Sequence, residues 1–267
     1  MRDNIKWLWL FLLLAGCRSS ADWRFETLFP IEDASPVGIA MLDGDLMVSD
    51  VENNRVLRID SSGQVLERFD GFQRPMHLFA EGGRLFVPEY LTDTIKVLQN
   101  GRQEVLPLRD TVNAPAAVAT EGNWVAVADF YNHRIVLQNE QETFSIGKEG
   151  HEKRELYYPT DVAIYGNKIF VADAYNNRIQ VFDLKGNSLQ IIGDRDNIRT
   201  ATGIAVGNDR LFVTDFEGNR VLVYNLEGAL QQQLTGQLQN PSDVAISGNK
   251  LYVLNYGSKS IAVFKKK

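Results

Sequence analysis

An all-β ring of six four-stranded antiparallel blades, a propeller, is the fold that this sequence predicts. Three observations predict it. A unit of about 40 residues recurs six times along nearly the whole chain. Within each copy, β-branched and aromatic residues alternate between Gly/Asn turns, and no stretch after the N-terminal segment carries a helical period. The last copy stops one strand short, whereas Trp23 to Phe29 stand before the first copy without a unit of their own. A spare strand at the front and a gap at the back complete the sixth blade and close the ring, and radial repetition protects the strand edges.

The chain opens with MRDNIKWLWLFLLLAGC. Arg2 and Lys6 form a short basic region, and the apolar run Trp7 to Leu14 is too short for a bilayer span, which takes about 20 residues. It suits an export signal. The run ends in Leu14-Ala15-Gly16-Cys17, which resembles the bacterial lipoprotein box, cut before a cysteine that then carries lipid. The resemblance implies residues 1–16 as signal peptide, 17–22 as lipidated tether and 23–267 as propeller. Arg18, rather than Asp, after Cys17 implies an outer-membrane destination facing the periplasm or the cell surface. A plain signal peptide cut near Ala21 is the other reading of this segment.

The units start at Pro36, Pro75, Pro115, Pro159, Ala201 and Pro241. Proline at a strand start fixes φ and needs no N–H partner. In the fourth unit an apolar run, Val162 to Ile164, leads to the turn Gly166-Asn167. Strand Ile169 to Ala172, a polar loop, strand Ile179 to Phe182, the turn Lys185-Gly186-Asn187 and strand Leu189 to Ile192 follow. Fourteen residues after each start stands Asp50, Glu89, Asp129, Asp173, Asp215 or Asn255, and five further on Arg55, Thr94, Arg134, Arg178, Arg220 or Ser260. A carboxylate at a strand end accepts the N–H groups of a tight loop, and an arginine opening the next strand reaches it. One such pair suits catalysis. Four of them, Asp50/Arg55, Asp129/Arg134, Asp173/Arg178 and Asp215/Arg220, suit architecture.

These units resemble the NHL family of propeller repeats, most clearly in Pro159 to Phe182 and Pro115 to Leu137. Units two and six depart from the pattern at Glu89 and Thr94 and at Asn255 and Ser260. Gly147 and Gly150 resemble the glycines of the family's linker before a new blade. The resemblance implies an interaction platform. Similar six-bladed propellers also include amidating lyases, calcium lactonases and related hydrolases.

Composition narrows the chemistry. With 28 Lys+Arg against 34 Asp+Glu the chain carries a net charge of -6, which argues against nucleic acid as a partner. One cysteine excludes an internal disulfide and any cysteine-built metal cluster. Specific function is then expected where the six copies differ. Two positions after each start the series runs Gly38, His77, Ala117, Asp161, Gly203, Asp243. His77, Asp161 and Asp243 fall on alternate blades and suit a divalent cation or a water at the channel mouth. With one histidine in the ring, calcium is favoured over zinc. Gly or Asp at this position also belongs to the repeat pattern, so the expectation is of no cofactor, with calcium at the central channel as the alternative.

The loop after each Asp position begins with Val51, Tyr90, Phe130, Ala174, Phe216 or Tyr256, with Tyr131, His133 and Tyr175 nearby. This predicts an aromatic binding face of His77, Tyr90, Phe130, Tyr131, His133, Tyr175, Phe216 and Tyr256 for a protein, peptide or glycan. The long connection Lys148 to Tyr158 mixes both charge signs and is expected to be solvated, a candidate partner loop. No nucleophile elbow or zinc-protease motif stands in the chain. The expectation is therefore a membrane-tethered, non-catalytic binding or scaffold propeller. The alternative is a calcium- or zinc-dependent enzyme, lactonase-like or amidating-lyase-like, with His77 as its base.

Overall fold

The first five predicted units each fold as a four-stranded antiparallel meander, strands running in sequence order from the axis outward, and the sixth supplies three strands of its blade. A computed structural model describes residues 23–267. The signal peptide, Cys17 and the tether lie outside the described residues. In the fourth blade the strands are Pro159–Tyr165, Lys168–Asp173, Arg178–Asp183 and Ser188–Ile192. Gly166, with φ +60°, supplies the left-handed residue of the tight inner turn.

The second and third strands are buried on both sides, because another blade packs against each face. Pleating then sorts side chains by neighbour. Ile169 and Val171 pack toward Ala126 and Ala128 of the third blade, while Phe170 and Ala172 pack toward Leu211 and Val213 of the fifth. The core is a ring of such interblade layers.

Strand Trp23–Pro30 pairs antiparallel with Ser260–Lys266 and forms the outer edge of the sixth blade. The N-terminal segment therefore closes the ring, as the missing strand predicts. Trp23 is buried edge-on against Phe212, ring centroids 5.3 Å apart, and the Gln232 side chain both accepts from its N–H and donates to its C=O.

The four Asp/Arg pairs occupy equivalent places. Arg Nε donates to the buried carboxylate at 2.7 Å in Asp50/Arg55 and Asp129/Arg134, and at 2.8 Å in Asp173/Arg178 and Asp215/Arg220. Each carboxylate also accepts an N–H from the connection entering its own blade, from Ser35, Asn113, Tyr157 and Arg199. The two departures keep the contact by other means. Glu89 pairs with Lys96 at 3.0 Å, and the uncharged Asn255 meets Ser260.

The second blade deviates on its inner side. Its inner strand covers only Phe79–Glu81, and Pro75 makes an isolated bridge to Glu89. Pro88 stands in the facing strand and has no N–H to give the ladder. Met76 N–H still reaches the Pro88 carbonyl, but His77 N–H turns to Ala116 of the third blade. The residue that breaks the repeat chemically thus also sits where the repeat breaks structurally.

Candidate metal centre

The series Gly38, Ala117, Asp161, Gly203 and Asp243 stands at the start of the innermost strands, with His77 just before the shortened one of the second blade, near the face formed by the loops after the Asp positions. Small and functional residues alternate for a steric reason. A Cβ on Gly38 would lie 2.4 Å from the Met76 carbonyl and 2.6 Å from His77 Cα. One on Gly203 would lie 2.6 Å from Asp243 Cα. Glycine in one blade admits the backbone that carries His77 or Asp243 in the next.

His77, Asp161 and Asp243 meet there, all buried, with potential ligand atoms within 4.8 Å of one another. His77 Nδ1 lies 3.3 Å from Asp243 Oδ2 and 3.9 Å from Asp161 Oδ2, and no hydrogen bond satisfies it. Both carboxylates are pinned by backbone. Asp161 accepts from Val162 N–H at 2.8 Å and from Ile204 N–H, in the next blade, at 2.7 Å. Asp243 accepts from Val244 N–H and, across the ring closure, from Ile39 N–H, both at 2.8 Å. An ionised carboxylate has about four acceptor sites, so each keeps capacity for one more electrophile.

Electrostatics concentrates on the same three groups. Burial pushes His77 down, but Asp243, first as a charge and then as the acceptor a protonated Nδ1 turns to, and after it the charge of Asp161 outweigh burial and hold the imidazole up at about 9. Asp161 is pushed up to about 7, chiefly by burial, with the Asp243 charge adding and the His77 charge opposing. Two carboxylates here need a cation between them. A proton on His77 Nδ1 supplies it in the absence of a metal, and a divalent ion would fill the same role. One imidazole nitrogen with two carboxylate oxygens is a donor set for a hard divalent cation, and the unsatisfied Nδ1 is the atom a metal would complete. Among the described residues no second group of three ligating side chains comes this close.

A cavity of about 710 Å³ has His77, Phe130, Tyr175, Phe216 and Tyr256 in its lining, whereas Asp161 and Asp243 line a second cavity of about 300 Å³. Arg74, Arg199 and Glu217 add charge to the wall. Tyr90 and Tyr131 stand beside Phe130, their hydroxyls hydrogen-bonded to each other. Tyr131, Tyr175 and Tyr256 are exposed.

His133 is a correction to the predicted face. It is buried, its ring stacked on Tyr157 at 5.3 Å, and its Nδ1 accepts the Tyr158 N–H at 3.0 Å. It braces the rim from beneath. The connection Lys148 to Tyr158 is likewise not wholly solvated. Leu156 is fully buried, and Tyr157 and Tyr158 join the aromatic cluster next to Tyr175. Sequence reasoning passed over these two tyrosines, although a Tyr-Tyr pair ending the one longer connection was the signal available.

With this geometry described, known proteins offer a comparison. The NHL repeat matches residues 156–182, one blade's inner part. No curated protein matches the chain by sequence. Among solved structures, a streptogramin B lyase superposes with a TM-score of 0.67 at 18% identity, covering 92% of this chain and 88% of the other. Virginiamycin B lyase from Staphylococcus aureus gives 0.67 at 18% identity over 90% and 85%. Its catalytically inactive histidine-to-alanine variant with quinupristin gives 0.64 at 17% over 86% and 82%. At such identity the likeness is one of fold.

The expectation of a non-catalytic platform is corrected here. A scaffold role asks nothing of its axis beyond packing. This axis instead holds a buried histidine with an unsatisfied nitrogen between two carboxylates, their potential ligand atoms within 4.8 Å of one another.

Proposed function

We propose that this chain is a divalent-cation-dependent propeller enzyme that cleaves its substrate by a lyase or hydrolase reaction in the cavity above His77. The observation that carries this reading is the unsatisfied, buried His77 Nδ1 facing Asp161 and Asp243. His77, Asp161 and Asp243 would hold the cation at the central channel. Calcium is the ion proposed, because two of the three donors are carboxylate oxygens. When bound, the cation supplies Lewis acidity toward a substrate carbonyl or leaving oxygen. The rim aromatics, Phe130, Tyr175, Phe216 and Tyr256, bind and orient a peptide or glycan substrate, and the Ile39 and Ile204 N–H groups keep the two carboxylates in place.

The same proposal places the enzyme outside the cytoplasm, held by lipid on Cys17 at the outer membrane. The intact mass of the mature protein tests that lipid directly.

The enzymatic reading is tested by metal content and activity together. Full-length protein, stripped with chelator and reloaded with calcium, manganese or zinc, is assayed by elemental analysis and against lactones, peptide esters and quinupristin, the ligand named with one of the lyases. Stoichiometric cation and metal-restored turnover in wild type, both lost in a folded His77→Ala variant, are expected. A chain that takes up no cation and shows the same melting temperature with and without metal overturns the proposal.

A further inference from the structure

Successive blades are tied together on the mouth face by a recurring bond between two left-handed residues. Asn54 Oδ1 accepts the Arg74 N–H at 2.8 Å, Asp93 Oδ1 the Ala114 N–H at 2.7 Å, and Asn219 Oδ1 the Asn240 N–H at 2.7 Å. Each acceptor stands just before the third strand of one blade, and each donor just before the proline that opens the next unit. Their φ angles all lie between +47° and +56°.

Between the third and fourth blades an imidazole makes the same bond. His133 Nδ1 accepts the Tyr158 N–H at 3.0 Å, with φ +52° and +53° at the two ends. An amide or carboxylate oxygen accepts whatever the pH near neutrality, but a ring nitrogen accepts only while it carries no proton. The backbone N–H is always the donor, so the proton of the neutral ring sits on Nε2. A second proton goes to Nδ1 and sets N–H against N–H. Left-handed backbone is costly for a residue as bulky as tyrosine and persists only where its surroundings hold it.

What this bond holds is part of the mouth. The Tyr158 ring packs on Phe130 and Tyr175, centroids 4.9 and 5.1 Å away, and both of these line the larger cavity. The imidazole is buried, stacked on Tyr157 and 4.3 Å from the Tyr158 ring. The charged groups around the junction pair with one another: Asp129 with Arg134 on its own loop, Lys148 with Glu155 on the facing connection, and Asp173 with Arg178 in the fourth blade. None of these pairs includes His133. Glu149, Tyr131 and Tyr175 act electrostatically on Tyr158. His151 stands edge-on to Tyr157, and its Nδ1 lies 2.6 Å from Asn176 Oδ1, a bond that protonation preserves.

We propose that His133 is an acid-sensitive latch between the third and fourth blades: unprotonated, it holds Tyr158 and the aromatic wall of the mouth in place, and protonated on Nδ1, it releases them. That the release governs substrate entry rests on the enzymatic reading above, whereas the latch itself does not.

The test uses the full chain, isotope-labelled, read by nuclear magnetic resonance at about pH 8 and about pH 5, either side of the ordinary imidazole range. At the higher pH a scalar coupling should connect the Tyr158 amide nitrogen with His133 Nδ1, and at the lower pH it should vanish. Amide exchange at Tyr158, corrected for its intrinsic pH dependence, should quicken at least about tenfold in acid, while Arg74, Ala114 and Asn240 keep their protection. His133→Asn installs the acceptor that other junctions use. Its Tyr158 amide should stay protected at both pH values, and the rings of Phe130 and Tyr175 should lose the acid-induced shift that they show in wild type. His77 and Asp161 titrate alike in both chains and cancel in that comparison. His151→Gln should leave the wild-type response intact. Undiminished Tyr158 protection in acid, or an equal acid response in His133→Asn, overturns the proposal. If His133→Asn fails to fold, the wild-type coupling and exchange decide alone. Neither readout involves cation or turnover, so the latch and the enzymatic reading stand or fall separately.

Discussion

Asp243 in the last blade accepts the Ile39 N–H of the first at 2.8 Å, joining positions 204 residues apart. The same carboxylate faces His77 at 3.3 Å. One side chain therefore serves both ring closure and the candidate centre, and its two roles separate by substitution. Asp243→Asn keeps an acceptor for Ile39 but removes the charge. It should hold most of the stability while losing cation affinity. Asp243→Ala strands two buried N–H groups and should cost about 2–4 kcal/mol in urea unfolding.

The metal-free chain should lose stability as pH rises. His77 is held at about 9, above its unfolded value of 6.5, by Asp243 and Asp161 against the cost of burial. Its contribution is whole below about pH 6.5 and is lost as pH climbs through 9. Asp161, raised from 3.8 to about 7, keeps in the folded chain a proton that the unfolded chain has released, so its contribution fades between those values. Both slopes have one sign. Melting temperature in chelator should fall from pH 5 to 9, and His77→Gln should flatten the upper part of that fall.

Glycine in the inner ring is a requirement of interblade approach. Gly38→Ala drives a Cβ into the Met76 carbonyl and His77 Cα, neither of which can swing aside. A loss of about 1–3 kcal/mol is expected by chemical denaturation, together with weakened cation binding. Gly207→Ala, which meets only the Ile246 side chain at 3.1 Å, should cost clearly less.

Trp23 fastens the closing strand. Its ring is buried edge-on against Phe212, and its backbone is held on both sides by Gln232. Trp23→Ala should cost about 3–5 kcal/mol, far more than a fraying terminus would. Hydrogen exchange should show the loss spreading from the sixth blade into both neighbours.

The six units, their strand order and the sixth blade's borrowed strand were legible before any coordinates, because period-two apolar patterning and phased turns are local properties. The positions of His77, Asp161 and Asp243 on alternate blades were legible for the same reason. That they suit a cation was legible too, but not that all three are buried and meet. A Gly/Asp alternation inside a repeat has the look of repeat pattern, and the sequence has no means of showing that Gly38 and Gly203 are small to admit the next blade. Tyr157 and Tyr158 were hidden by their place in a charged connection, and His133 looked exposed because its burial against Tyr157 and Tyr158 depends on the connection that enters the next blade.

Local chemistry in the chain is enough to specify blades: turn residues set the meanders, and prolines and Asp/Arg pairs mark where strands begin and end. Closure into a ring decided the rest. Three side chains, one from every second blade, meet because the ring brings their strand ends to one axis. There burial strips water from two carboxylates and an imidazole, and makes of them a site that no single repeat contains.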